Sequence, residues 1–146
     1  MKKYYQGFYK PENPQKYAGD LKQIVYRSGW ELQVMIKLDR TESVILWNSE
    51  GIAIPYLSPL DGKTHRYFPD FIVKVKDRQG VVKTHLIEIK PHSQTQLRTS
   101  NRNTRKFLSE VATFAVNQAK WKAAEAFCKD QGWEFQVITE KDNSFA

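Results

Sequence analysis

The chain has 146 residues, 40% of them hydrophobic and 13% aromatic, enough for a single domain with a packed core and unlike a disordered composition. Its formal charge of +7 and isoelectric point of about 9.5 call for an acidic partner, and nucleic acid is the first candidate because neutralised phosphates release counterions. The single cysteine, Cys128, excludes an internal disulfide framework and a cysteine-based zinc site and suits a reducing compartment, while no apolar run is long enough for a bilayer and MKKYYQGFYK lacks the apolar stretch of a secretory signal.

Residues 1–22 mix Tyr, Lys, Pro and Gly without a lasting period, so an irregular arm that docks through its tyrosines is expected. RSGWELQVMIKLDR then predicts a helix. Ser28 is a good N-cap and Glu31, three residues on, completes a capping-box pattern. Trp30, Val34 and Leu38, with Met35 and Ile36, give the apolar face. SVILWNSEGIAIPYL reads as two short strands about an Asn-Ser-Glu-Gly turn. SPLDGKTHRYFPDFIVKVKDRQGVVKTHLIEIK adds two longer strands. Asp61-Gly62 and Arg78-Gln79-Gly80 make the reversals, so these strands are expected to be antiparallel neighbours.

Pro91 ends the last of them. PHSQTQLRTSNRNTRKFLS contains no acid but carries Arg98, Arg102, Arg105 and Lys106, so residues 91–106 are expected to form a basic flexible flap against DNA; a solvated loop is the ordinary alternative. A helix is predicted from near Thr104 with Phe107, Leu108, Val111 and Phe114 inward. Asn117 is expected to cap a second helix with a stripe of Trp121, Ala124, Phe127 and Cys128. Gly132 stops it and WEFQVIT makes a final strand. The order of helix, about four strands, helices and strand predicts one α/β domain over residues 1–146, a mixed central sheet flanked by helices.

Two predicted strands carry a carboxylate where an apolar residue would pack better: Asp70 in FPDFIVKVK and Glu88 in HLIEIK. Side chains two apart on a strand share a face, so Glu88 and Lys90 are neighbours on one side while Ile87 and Ile89 fill the other. Pairing of the two strands brings Asp70 within cross-strand reach. Like charges in a low-dielectric place repel, and a divalent cation removes the conflict. A metal, an activated water and a lysine facing phosphate are what phosphodiester hydrolysis requires. The ordinary alternative makes Asp70 a turn acid and Glu88–Lys90 a solvated ion pair. His65, His85 and His92 share no metal-ligand spacing.

Pro69-Asp70 followed by Glu88-x-Lys90, after a helix bearing Glu31, resembles the PD-(D/E)XK nuclease superfamily, whose core is the restriction-endonuclease-like fold. YRSGWE, W-x-S-E-x-x-x-IPY, RYFPDF, IEIKP and NQAKWKAAEAFC with GWEFQVITE are similar to the head-completion endonucleases of T-even-type tailed phages. More distantly they are similar to TnsA-type transposon endonucleases. The likeness runs from Tyr26 to Glu140. By that resemblance Asp70 and Glu88 bind Mg²⁺ or Mn²⁺, helped by the backbone carbonyl of Ile89, and Lys90 orients the water. Glu31 completes the acidic set, although its capping position would explain it without catalysis; Glu50 is the rival acid and is read as a turn residue. Arg27, Arg98, Arg102, Arg105, Lys106 and Lys120 are the expected DNA contacts.

The resemblance implies a metal-dependent endodeoxyribonuclease of phage head completion and DNA packaging. Its expected partners are double-stranded DNA and portal, neck or head-completion proteins, without a membrane. Its expected location is the host cytoplasm or the virion. The alternatives are a virion protein that binds DNA ends on the same fold, and a transposition or repair endonuclease.

Overall fold

The computed structural model describes residues 6–142. In chain order it contains β1 (Gly7–Phe8), β2 (Val25–Tyr26), α1 (Gly29–Arg40), β3 (Val44–Ser49), β4 (Ile54–Leu57), β5 (Thr64–Tyr67), β6 (Phe71–Lys76), β7 (Val82–Ile89), α2 (Arg105–Gln131) and β8 (Glu134–Ile138). The central sheet has the order β3-β6-β7-β8, with β8 parallel to β7 and the other pairs antiparallel. The return from β7 through α2 to β8 is the helical crossover that a parallel pair requires. The architecture is therefore mixed α/β, as the sequence predicts.

Alternation along the strands divides the core in two. Val44, Trp47, Phe71, Val73 and Ile87 face α1 and meet its Val34, Met35 and Leu38; burying each such side chain is worth roughly 2 kcal/mol. Leu86 faces the other way, toward Trp121, Ala124 and Cys128 of α2 and toward Ile54, Tyr56 and Tyr67 of the β4–β5 hairpin. α1 begins as expected, with Ser28 Oγ accepting the Glu31 N–H at 3.1 Å. α2 ends at Gly132, whose φ of 75° is the left-handed conformation that glycine adopts without strain. There Trp133 N–H reaches the Cys128 carbonyl at 2.8 Å and Gly132 N–H the Lys129 carbonyl at 3.3 Å, closing the last turn.

Five expectations are corrected. β3 and β4 do not pair with each other: β3 pairs β6, and β4 pairs β5 in a separate two-stranded sheet. The chain leaves β3 through Glu50, which takes a φ of 51°, so the Asn-Ser-Glu-Gly segment diverts the backbone instead of closing a hairpin. Residues 64–76 do not form one strand; they change sheets at Phe68-Pro69, where proline has no N–H for a ladder. Asp70 consequently sits just ahead of β6, not within it. Finally, residues 105–131 form one helix of 27 residues. Asn117 lies inside it, buried, because AVNQAKW contains no Gly or Pro to stop the propagation. Leu108 is exposed, not inward, because the core contacts of α2 begin only at Val116.

The segment ahead of β2 is tied down by an acid. Asp39, fully buried in α1, accepts the Tyr9 hydroxyl at 2.8 Å, the Glu12 N–H at 2.7 Å and the Asn13 N–H at 3.1 Å. Tyr17 packs edge-on to Trp47 with ring centroids 4.7 Å apart. Residues 1–5 of the arm lie outside the described residues.

Candidate active site

Register brings the two acids together. Phe71 lies opposite Ile87 and Ile72 opposite Leu86, so the next step places Asp70 opposite Glu88, on the face that Leu86 shares. The Asp70 carboxylate closes the end of this ladder by accepting the Ile89 N–H at 2.7 Å. Glu88 is only 6% exposed. Burial first, and the Glu88 charge second, hold the Asp70 carboxyl well above the usual carboxylate range; the Ile89 hydrogen bond and Lys90 only partly oppose them. Lys90 Nζ stands 3.9 Å from Glu88 Oε2, and its backbone N–H is fixed to the Ile138 carbonyl at 2.9 Å.

Glu31 joins this group from the first turn of α1. Its carboxylate accepts the Arg27 N–H at 3.1 Å, so it serves the helix start. It also lies close enough to Asp70 to feel its charge: burial, then Asp70, push the Glu31 carboxyl up. The side chain that closes the start of α1 therefore also stands in the electrostatic field of Asp70.

Glu50 does not join as an acid. Its carboxylate takes the Arg27 guanidinium in a two-oxygen contact at 2.8 and 2.9 Å, while its backbone N–H donates to the Asp70 carbonyl at 3.0 Å. Strained backbone of this kind persists where the surroundings over-determine it. Glu50 thus links Arg27 to the backbone of Asp70.

The remaining cations are spread. Arg98 is held by Glu110 at 2.5 Å and lies 5.0 Å over the Phe107 ring, which ties the basic segment back to α2. Arg102, Arg105 and Lys106 are exposed near the start of α2. Lys120 Nζ lies 5.7 Å from the Tyr67 ring and 5.8 Å from the Tyr56 ring, on the side of the sheet that carries Glu88. His65 pairs with Asp61 and His85 approaches Glu134, so neither belongs to the acid pair.

Tyr67 and Trp121 were not legible as site residues. The Tyr67 hydroxyl and the Trp121 indole nitrogen are buried and meet no partner at hydrogen-bond geometry. Burial, followed by the Glu88 charge, pushes the Tyr67 hydroxyl above its ordinary range. Only the change of sheets at Pro69 brings this tyrosine beside Glu88, and nothing in the local sequence announces it.

Among the described residues no three His, Cys, Asp or Glu side chains gather into a metal cluster. Two facing carboxylates still suit a hard cation such as Mg²⁺, which is held by one or two carboxylates and keeps several waters. The donors are all oxygens, and the carboxyl pair carries an electrostatic conflict that a divalent ion would relieve. The residues present fit such an ion.

Residues 41–140 match the family model described as TnsA-like endonuclease N terminal. This span contains Asp70, Glu88 and Lys90 and excludes Arg27 and Glu31. The head completion nuclease of Enterobacteria phage T4 is 39% identical to the chain over 141 residues, covering 93% of this chain and 91% of that protein.

Proposed function

The chain belongs to the TnsA-like endonuclease N-terminal family, and from that premise we propose that it is a metal-dependent DNA endonuclease of phage head completion. The observation that carries the chemistry is the facing pair of carboxylates, half-buried Asp70 and buried Glu88, with Lys90 beside them. The phage setting rests on the near full-length likeness to a head completion nuclease, which favours it over a transposition role.

On this reading Asp70 and Glu88 hold Mg²⁺ or Mn²⁺, with the Ile89 carbonyl as a further oxygen. Such an ion supplies Lewis-acid polarisation of the phosphate and acidifies water. Lys90 faces the phosphoryl oxygens, where negative charge grows as water attacks phosphorus. Lys90 also orients that water, and Glu31 completes the acidic set from the start of α1. The bond from phosphorus to the 3′ oxygen breaks, leaving a 5′-phosphate and a 3′-hydroxyl. Arg102, Arg105 and Lys106 hold phosphates through exposed side chains, and Arg27, Arg98 and Lys120 join them by exchanging their present contacts for DNA. The reaction belongs in the host cytoplasm at the assembling virion, beside portal or neck proteins.

Supercoiled plasmid incubated with Mg²⁺ or Mn²⁺ tests this reading. The wild-type protein is expected to nick it, EDTA to abolish nicking, and Asp70→Ala and Lys90→Ala each to reduce it by at least about a hundredfold, the scale of losing one transition-state contact. Nicking that survives both substitutions would contradict the site. DNA binding by the wild type without any nicking would favour a structural DNA-end-binding role.

A further inference from the structure

The strand that leads to Asp70 has two sides. Tyr67, Pro69 and Phe71 are buried, while Arg66 and Phe68 between them are exposed and Asp70 is half-buried. Phe68 stands two residues ahead of Asp70, in the short irregular step between β5 and β6, and Arg66 two residues ahead of Phe68. Phe68 is 44% exposed, and the Arg66 guanidinium lies over its ring, 5.5 Å from the centroid. An extended chain limits the Cα of Phe68 to about 7 Å from that of Asp70. Among the described residues no carboxylate pairs with Arg66.

This juxtaposition is unusual in three respects. A large aromatic ring stays in water although its neighbours on both sides are buried. A cation lies over the ring. The ring belongs to the residue two positions ahead of Asp70, one of the acid pair proposed to cut DNA.

We propose that Arg66 and Phe68 form a clamp at the rim of the site, in which the Phe68 ring stacks on a nucleobase next to the phosphate being cut and Arg66 takes an adjoining phosphate. The proposal deepens the endonuclease reading and rests on it. Every base offers an apolar face, so stacking of this kind holds DNA without reading its sequence. An apolar ring entering a base step also loosens the duplex locally, which exposes the backbone to the carboxylates.

Short duplexes, each with a 2-aminopurine at a different step, are mixed with the protein in EDTA, so that binding is read without cleavage. The wild type is expected to brighten the fluorescence of at least one duplex as its base unstacks. Phe68→Ala should lose the brightening and bind roughly tenfold more weakly, while Phe68→Trp keeps both. Thermal melting of each variant checks the fold, which an exposed side chain should not disturb.

If Phe68→Ala matches the wild type in brightening and affinity, or if the wild type binds without brightening, the clamp is overturned. Plasmid nicking by the wild type in Mg²⁺ would still leave the endonuclease reading standing. A wild type that neither binds nor nicks DNA overturns both.

Discussion

At the residue scale, Asp70 makes a prediction about the metal-free protein. Burial and the Glu88 charge raise its folded pKa above that of the unfolded chain. From about pH 4 upward, until the raised folded value is passed, the native state therefore holds more protons than the unfolded one. Stability contributed by protonated Asp70 is full below that window and is lost as pH rises through it. Asp70→Asn cannot ionise and should flatten this part of the curve. Thermal melts in EDTA from acid to mildly alkaline pH check the point: the variant should gain on the wild type steadily as pH rises. A constant difference between the two would mean that Asp70 ionises freely in the folded protein. The proximity of Asp70, Glu88 and Lys90 was legible in the sequence because Glu88 and Lys90 lie two apart along the chain and the antiparallel pairing of β6 with β7 carries Asp70, one residue ahead of β6, opposite Glu88. Glu50 and Tyr67 were not. The first acts through a backbone bond to Asp70 and a contact with Arg27, the second through a change of sheets, and both depend on residues distant in the chain.

At the scale of elements, legibility follows how local the controlling interaction is. The reversals at Asp61-Gly62 and at Gly80 were readable because left-handed turn positions select glycine, and the φ values there are 69° and 84°. The start of α1 and the stop of α2 were readable for the same reason, each being set by a few adjacent residues. Partner choice by β3 and β4, and the continuity of α2 through Asn117, depend on tertiary packing and were misread. Asp39 belongs to the same class: a buried acid on an apolar helix face looks misplaced until the segment ahead of β2 supplies its donors. Asp39→Ala removes the shared acceptor of one hydroxyl and two backbone N–H groups. It is expected to destabilise the protein by about 3 kcal/mol, given the worth of bonds to a charged group. Urea denaturation gives the magnitude. Limited proteolysis should show new cleavage between Tyr9 and Tyr17 in the variant; an unchanged pattern would show that the segment is held by something other than this carboxylate.

At the scale of the molecule, a chain with a formal charge of +7 sets two carboxylates opposite each other at one end of its central sheet. The chain is a mixed α/β member of an endonuclease family, with a sheet compatible with the restriction-endonuclease-like core. The cations are unevenly available. Arg27 and Arg98 are engaged by acids, whereas Arg102, Arg105 and Lys106 stand exposed where α2 begins. Such a surface attracts DNA as a polyanion, while the proposed ion neutralises the acid pair that would otherwise repel it. The proposed ion couples the basic surface to the acid pair. Calorimetric titration of Mn²⁺ into the metal-free protein near neutral pH, in two buffers of different ionisation enthalpy, tests it most directly. The wild type should bind saturably and release protons, because binding must strip the proton that Asp70 retains, and Asp70→Asn should lose both signals. Equal Mn²⁺ binding by the wild type and Asp70→Asn, or no binding by the wild type, would contradict the account.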